Sequence, residues 1–186
     1  PLVTKLEAAV FADDFVFLEG PRWRGGALWV SDMWGYKVHR ITEDGTVVDV
    51  VEVPDRPSGL GFMPNGDPLI VSMADRSVYR YVGGTLELHA ALGDTVRADI
   101  NDMVVDPEGR AYVGNFGYDL FNDAEPEDAE IVLIEPDGSH RVVASELMFP
   151  NGMVLTDGGA TLVVAETFGQ RLTAYERDAD GGLVNR

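Results

Sequence analysis

Four short segments of this chain carry a side-chain oxygen at a matching place: Glu19 in Glu19-Gly20-Pro21-Arg22-Trp23, Ser58 in Ser58-Gly59-Leu60-Gly61-Phe62, Asn101 in Asn101-Asp102-Met103-Val104-Val105, and Asn151 in Asn151-Gly152-Met153-Val154-Leu155. A carboxylate and two carboxamides brought to one point are oxygen donors for a hard dication. Ca²⁺ suits them best, Mg²⁺ or Mn²⁺ also fits, and water completes the shell. An Asn or Ser at the start of a strand also caps its own backbone in an Asx turn. The argument for a shared ligand role is that oxygen recurs at one repeat position.

The repeat itself is what must position these groups. The four segments start 39, 43 and 50 residues apart. Each is followed by a turn (Arg24-Gly25-Gly26, Pro64-Asn65-Gly66-Asp67, Asp106-Pro107-Glu108-Gly109, Thr156-Asp157-Gly158-Gly159) and then by an apolar run such as Leu69-Ile70-Val71 or Ala111-Tyr112-Val113. Proline presets φ early in such turns and glycine accepts the positive φ that ends them. A third run (Lys37–Ile41, Ser77–Tyr81, Glu130–Ile134, Arg171–Tyr175), another turn and a fourth strand complete each unit. Short strands repeating every 40 to 50 or so residues are the period of propeller blades. The chain therefore reads as all-β, a single propeller domain over residues 1–186 with blade starts near Glu19, Ser58, Asn101 and Asn151. In that architecture the first strand of each blade lines the central channel, so the four oxygen-bearing residues meet near one mouth.

The bulk properties exclude several functions. With 14 Lys plus Arg against 32 Asp plus Glu the net charge is −18, the wrong sign for nucleic acid or an anionic membrane. The absence of cysteine removes disulfides, thiolate metal sites and cysteine nucleophiles. No long apolar span or signal-like start is present, and the expected location is cytoplasmic, although a chain that begins at Pro1 need not carry its native N-terminus. His39, His89 and His140 have no metal-binding spacing and read as exposed strand residues, while Trp23, Trp29 and Trp34 read as blade-to-blade packing. No nucleophile elbow, phosphate loop or dinucleotide fingerprint occurs.

Two local features bear on the site. The acidic stretch Tyr118 to Ala129 lengthens the third repeat and reads as a loop placed to cover the mouth near Asn101. Phe149-Pro150 is a restricted step that holds Asn151 at a fixed angle.

The motifs Leu18-Glu19-Gly20-Pro21-Arg22-Trp23, Ile100-Asn101-Asp102-Met103 with Asp106-Pro107-Glu108-Gly109-Arg110, and Phe149-Pro150-Asn151-Gly152-Met153 resemble the blade starts of the regucalcin/gluconolactonase family of six-bladed β-propellers. The resemblance implies a Ca²⁺- or Zn²⁺-type site held by Glu19, Asn101, Asn151 and an aspartate, and hydrolysis of lactones or related esters. It also implies substrate contacts from Asn101 and from Asp119, with Asn115 and Phe116 on the same rim.

Two departures from the family pattern shape the expectation. The family's fourth ligand, an aspartate also implicated in proton transfer, belongs to a fifth blade and would lie beyond Arg186, so no catalytic residue is assigned within the chain. Four blade starts against six leave about a third of the ring unaccounted for. The arc could tighten into a closed ring, pair with another chain, or be completed by a further segment of the protein; the last is the expected case, with the isolated chain weak or inactive. Asp99 stands where sugar-lactone members carry arginine, which weakens the case for an aldonolactone substrate. The alternative function is a non-catalytic propeller that binds a ligand or protein at its rim.

Overall fold

The computed structural model describes residues 7–186; the first six residues of the expected domain lie outside it. Among the described residues, sixteen strands form four four-stranded antiparallel sheets, each made of consecutive strands. The first blade holds β1 (Leu18–Arg24), β2 (Ala27–Asp32), β3 (Lys37–Thr42) and β4 (Val47–Glu52), and the second holds β5 (Pro57–Phe62), β6 (Pro68–Ser72), β7 (Ser77–Val82) and β8 (Thr85–Ala91). β9 (Ile100–Val105), β10 (Ala111–Asn115), β11 (Ala129–Ile134) and β12 (His140–Leu147) make the third blade. β13 (Pro150–Thr156), β14 (Thr161–Glu166), β15 (Arg171–Arg177) and β16 (Leu183–Val184) make the fourth. The chain is thus an all-β propeller of four blades with almost no helix.

The turns are built by local chemistry. At Asp106-Pro107-Glu108-Gly109 the Gly109 N–H donates to the Asp106 carbonyl at 3.0 Å with φ +89°, and the Asp106 carboxylate accepts the N–H groups of Glu108 and Arg110. Only a residue without a Cβ adopts that φ without cost.

Packing follows the order of the blades. β1 packs on β5, β5 on β9 and β9 on β13, with no comparable packing of β13 on β1. The second strands of the two inner blades, β6 and β10, are buried along their whole length. On the fourth blade burial alternates along β14, and Val154 and Leu172 are exposed. That alternation is what a strand shows when one face lacks a neighbour.

Two sequence expectations are corrected here. His39 is buried, not exposed, because Phe15 from the segment preceding β1 lies over its ring at 5.2 Å and Asp49 bonds its Nδ1 at 3.0 Å. Trp23 is exposed in place of packing between blades; Trp29 packs edge-on against Phe62 of the next blade, at 5.4 Å, and Trp34, although partly exposed, meets Arg56 and Phe121 from the second and third repeats. Phe149, although it precedes proline, takes φ +58°, as does Arg56 before Pro57 with φ +66°. Both sit immediately before an innermost strand, in a conformation that costs on the order of 1–3 kcal/mol unless the surroundings impose it.

Candidate metal and substrate site

Glu19, Ser58, Asn101 and Asn151 are each the second residue of the innermost strand of their blade. Each innermost strand is also irregular at this place. Pairing runs Glu19↔Ser31 then Arg22↔Trp29 in the first blade, Pro57↔Ser72 then Leu60↔Ile70 in the second, Ile100↔Asn115 then Met103↔Val113 in the third, and Pro150↔Glu166 then Met153↔Val164 in the fourth. In every case the innermost strand fits one more residue than its partner, a one-residue bulge. A bulge breaks the alternation of side chains and re-aims the residue it contains. In the second, third and fourth blades the bulge holds Ser58, Asn101 and Asn151, while in the first it holds Gly20 and Pro21, directly after Glu19.

The polar groups are joined to one another. Ser58 Oγ donates to Asn101 Oδ1 at 3.0 Å, Asn101 Nδ2 donates to Asn151 Oδ1 at 3.1 Å, and Asn151 Nδ2 donates to Thr167 Oγ1 at 3.2 Å. This chain fixes both carboxamides with their oxygens on known sides, and each oxygen keeps a second lone pair. Glu19, Asn101 and Asn151 line one cavity of about 240 Å³ whose apolar wall includes Phe116 and Phe149. Leu120 and Phe121, from the segment between β10 and β11, line it as well, and Phe121 meets Trp34 of the first blade edge-on at 5.9 Å. The long third-repeat loop therefore reaches across the mouth.

The electrostatics favour a cation. Burial raises the pKa of Glu19, the charge of Asp102 raises it further, and the Gly20 N–H only partly offsets both. Asp102 is raised by burial, against which Arg22 acts. Arg22 reaches from the first blade to the third, where Nη2 donates to Asp102 Oδ1 at 2.9 Å and to the Met103 carbonyl at 2.5 Å. Glu19 makes no ion pair among the described residues, so the mouth holds two carboxylates against one guanidinium. A half-buried carboxylate without a counter-charge beside two oriented carboxamide oxygens fits an oxygen-preferring dication, which would reverse the upward shift. No cluster of three or more His, Cys, Asp or Glu suited to a metal is present among the described residues, so any ion here depends on the carboxamides.

The expected substrate residues divide. Phe116 reaches the cavity. Asn115 does not: it is fully buried, its Nδ2 donates to the Glu130 carbonyl at 3.0 Å and to Glu130 Oε2 at 3.1 Å, and its Oδ1 accepts the Gly117 N–H at 2.8 Å. It closes the end of β10, as Asp32 closes β2 by accepting the N–H groups of Val16, Phe17 and Gly35. The first and third blades thus share a second polar position, at the end of the second strand, whose side chain holds neighbouring backbone. Asp119 faces a neighbouring pocket with Arg56, Arg76 and Asp99, and accepts a bond from Asn122 at 2.8 Å. Arg22 and Asp102 join the site as an ion pair between blades that nothing in the sequence foretells, although the adjacency Asn101-Asp102 is visible there.

In solved structures the fold recurs in a gluconolactonase from Xanthomonas campestris, 25% identical with TM-score 0.79, the alignment covering 95% of this chain and 63% of that one. A calcium-binding regucalcin from Agrobacterium tumefaciens is 22% identical with TM-score 0.75, covering 92% of this chain and 58% of that one. The nidogen/laminin complex contains a chain of the same fold, 12% identical with TM-score 0.72, covering 86% of this chain and 60% of that one. This chain thus spans less than two thirds of the length of these structures. A sequence search among curated proteins finds no match. Residues 17–186 match the family model described as SMP-30/gluconolactonase/LRE-like region, and the chain belongs to that family.

Proposed function

We propose that this chain carries the metal-binding part of a lactone- or ester-hydrolysing site, with Ca²⁺ the preferred ion. The observation that supports this most is the hydrogen-bonded pair Asn101–Asn151, held from behind by Ser58, in the same cavity as the unpaired carboxylate Glu19. Glu19, Asn101 and Asn151 would hold the ion through oxygen, the donor type that Ca²⁺ takes. When bound, such an ion supplies Lewis acidity toward a carbonyl oxygen and lowers the pKa of water.

The chain's own residues do the rest. Phe116, Phe149 and Phe121 make an apolar wall that limits water around a ligand, which strengthens each polar contact inside. Asp102 Oδ1 is committed to Arg22 and the Met103 N–H, while Oδ2 accepts no hydrogen bond among the described residues. Oδ2, beside the adjoining cavity that Glu19 and Asn151 also line, is the candidate proton acceptor of this chain. A small lactone or ester is the substrate class, and a cytoplasmic location belongs to the same reading. The test is base consumption in a pH-stat on a lactone panel, with and without EDTA, for the wild type and Glu19→Gln. Turnover lost on chelation and in Glu19→Gln supports the proposal. Turnover that survives both sinks it, and ligand binding that is unaffected by chelation favours a non-catalytic module.

A further inference from the structure

Next to the metal cavity, and sharing Phe121 with it, lies a second pocket of about 280 Å³ lined by Arg56, Arg76, Arg97, Asp99 and Asp119. Three of the chain's 14 basic residues gather here in a protein of net charge −18. Arg97 is tied to Glu127 at the rim. Arg56 donates one bond to Asp99 at 2.7 Å, and its guanidinium lies 4.6 Å from the Phe121 ring centre and 5.3 Å from that of Trp34. Arg76 donates only to the Val96 carbonyl, at 3.1 Å, and has no carboxylate partner among the described residues. A guanidinium offers five N–H donors, so both Arg56 and Arg76 keep most of theirs free.

The location is as telling as the charge. Arg56 and Asp99 each stand two residues before the hydrogen-bonded pair Ser58 and Asn101. Two residues of backbone span at most about 7 Å. A small molecule seated over Asn101 therefore has this pocket within the length of its own skeleton. The contacts with Phe121, Trp34 and Asp99 hold the Arg56 guanidinium in place in advance, which lowers the entropic cost of using it.

We propose that this pocket receives an oxyanion substituent of the ligand, a carboxylate or a phosphate, with Arg76 and Arg56 as its donors. The proposal rests on the reading of the adjacent cavity as the substrate site, and it names the substrate class: a lactone or ester that bears an anionic group. Guanidinium matches the paired oxygens of either group. The net negative field of the protein opposes an approaching anion, so recognition must come from close contacts of this kind.

The test separates this site from the lactonase reading by measuring binding without turnover. Inorganic phosphate and acetate are titrated calorimetrically into the 186-residue chain, into Arg76→Gln, and into Arg141→Gln as a surface control whose guanidinium bonds Glu135 outside the pocket. Saturable binding of at least one anion, weakened tenfold or more in Arg76→Gln and unchanged in Arg141→Gln with equal melting temperatures, is the expected result. The tighter of the two anions identifies the substituent. Absence of saturable binding of both, or equal weakening in both variants, overturns the proposal whether or not the protein hydrolyses lactones.

Discussion

Asn101 donates through Nδ2 to Oδ1 of Asn151 at 3.1 Å, joining the innermost strands of the third and fourth blades across fifty residues of sequence. The same Asn101 accepts from Ser58 of the second blade, so one carboxamide ties three blades at the channel mouth. Asn101→Ala leaves the buried Ser58 Oγ, and the partly buried Asn151 Oδ1, without partners. That costs roughly 1–3 kcal/mol, read as a lower denaturant midpoint. Asn101→Asp keeps the oxygen that accepts from Ser58, and is expected to retain Ca²⁺ binding that Asn101→Ala loses.

Gly59 lies where the second and third blades come closest. A Cβ there would stand 2.5 Å from the Met103 nitrogen and 2.8 Å from the Asp102 Cα, both backbone atoms that cannot move aside cheaply. Gly59→Ala is expected to destabilise the fold by about 1–3 kcal/mol through overpacking. Gly93→Ala, where a Cβ meets nothing closer than 3.8 Å, is expected to change the urea midpoint little.

Glu166, buried at the end of β14, is held by Arg171 through Nε at 2.8 Å and accepts the Met148 N–H at 2.8 Å. Its pKa is lowered from 4.5 to about 2, because these bonds and that of Thr173 outweigh the opposing effect of burial. A carboxylate whose folded pKa is depressed adds stability that is full above its unfolded pKa and is lost as pH falls through the folded one. The window is therefore pH 4.5 down to about 2. The shift corresponds to about 3 kcal/mol, reduced to roughly 2 because Arg171 is half exposed. Glu166→Gln should flatten the acid limb of the stability profile in that window; an unchanged limb would show that Glu166 is not the group responsible.

Phe121 reaches across the mouth to Trp34 and Arg56 while itself 44% exposed. Phe121→Ala should change the melting temperature little, since a partly exposed ring contributes about 1 kcal/mol or less through its cation–π contact. Ligand affinity should fall, because the ring lines both pockets. A loss of stability with affinity intact would contradict that placement.

The blade repeat was legible because it is written in local chemistry: Gly, Pro, Asn and Asp at turns, with apolar runs between them. The alignment of Glu19, Ser58, Asn101 and Asn151 was legible because the repeat carries each to the same strand position. What could not be read depends on residues far apart in the chain. Asn115 looks like a rim residue until Glu130, across the inserted loop, takes its amide. Arg22 finds Asp102 eighty residues away, and His39 is buried by a segment that forms no strand. The bulges were equally hidden, since one extra residue in a strand leaves no mark on a pattern of apolar runs.

The most direct test of the shared cation site is a calorimetric titration of Ca²⁺ into the metal-free 186-residue chain and its Glu19→Gln variant. The account predicts one Ca²⁺ per wild-type chain and binding at least tenfold weaker in Glu19→Gln, whose melting temperature in the absence of metal should not fall, because burial already disfavours the Glu19 charge. No saturable binding to the wild type, or undiminished binding to Glu19→Gln, would contradict it.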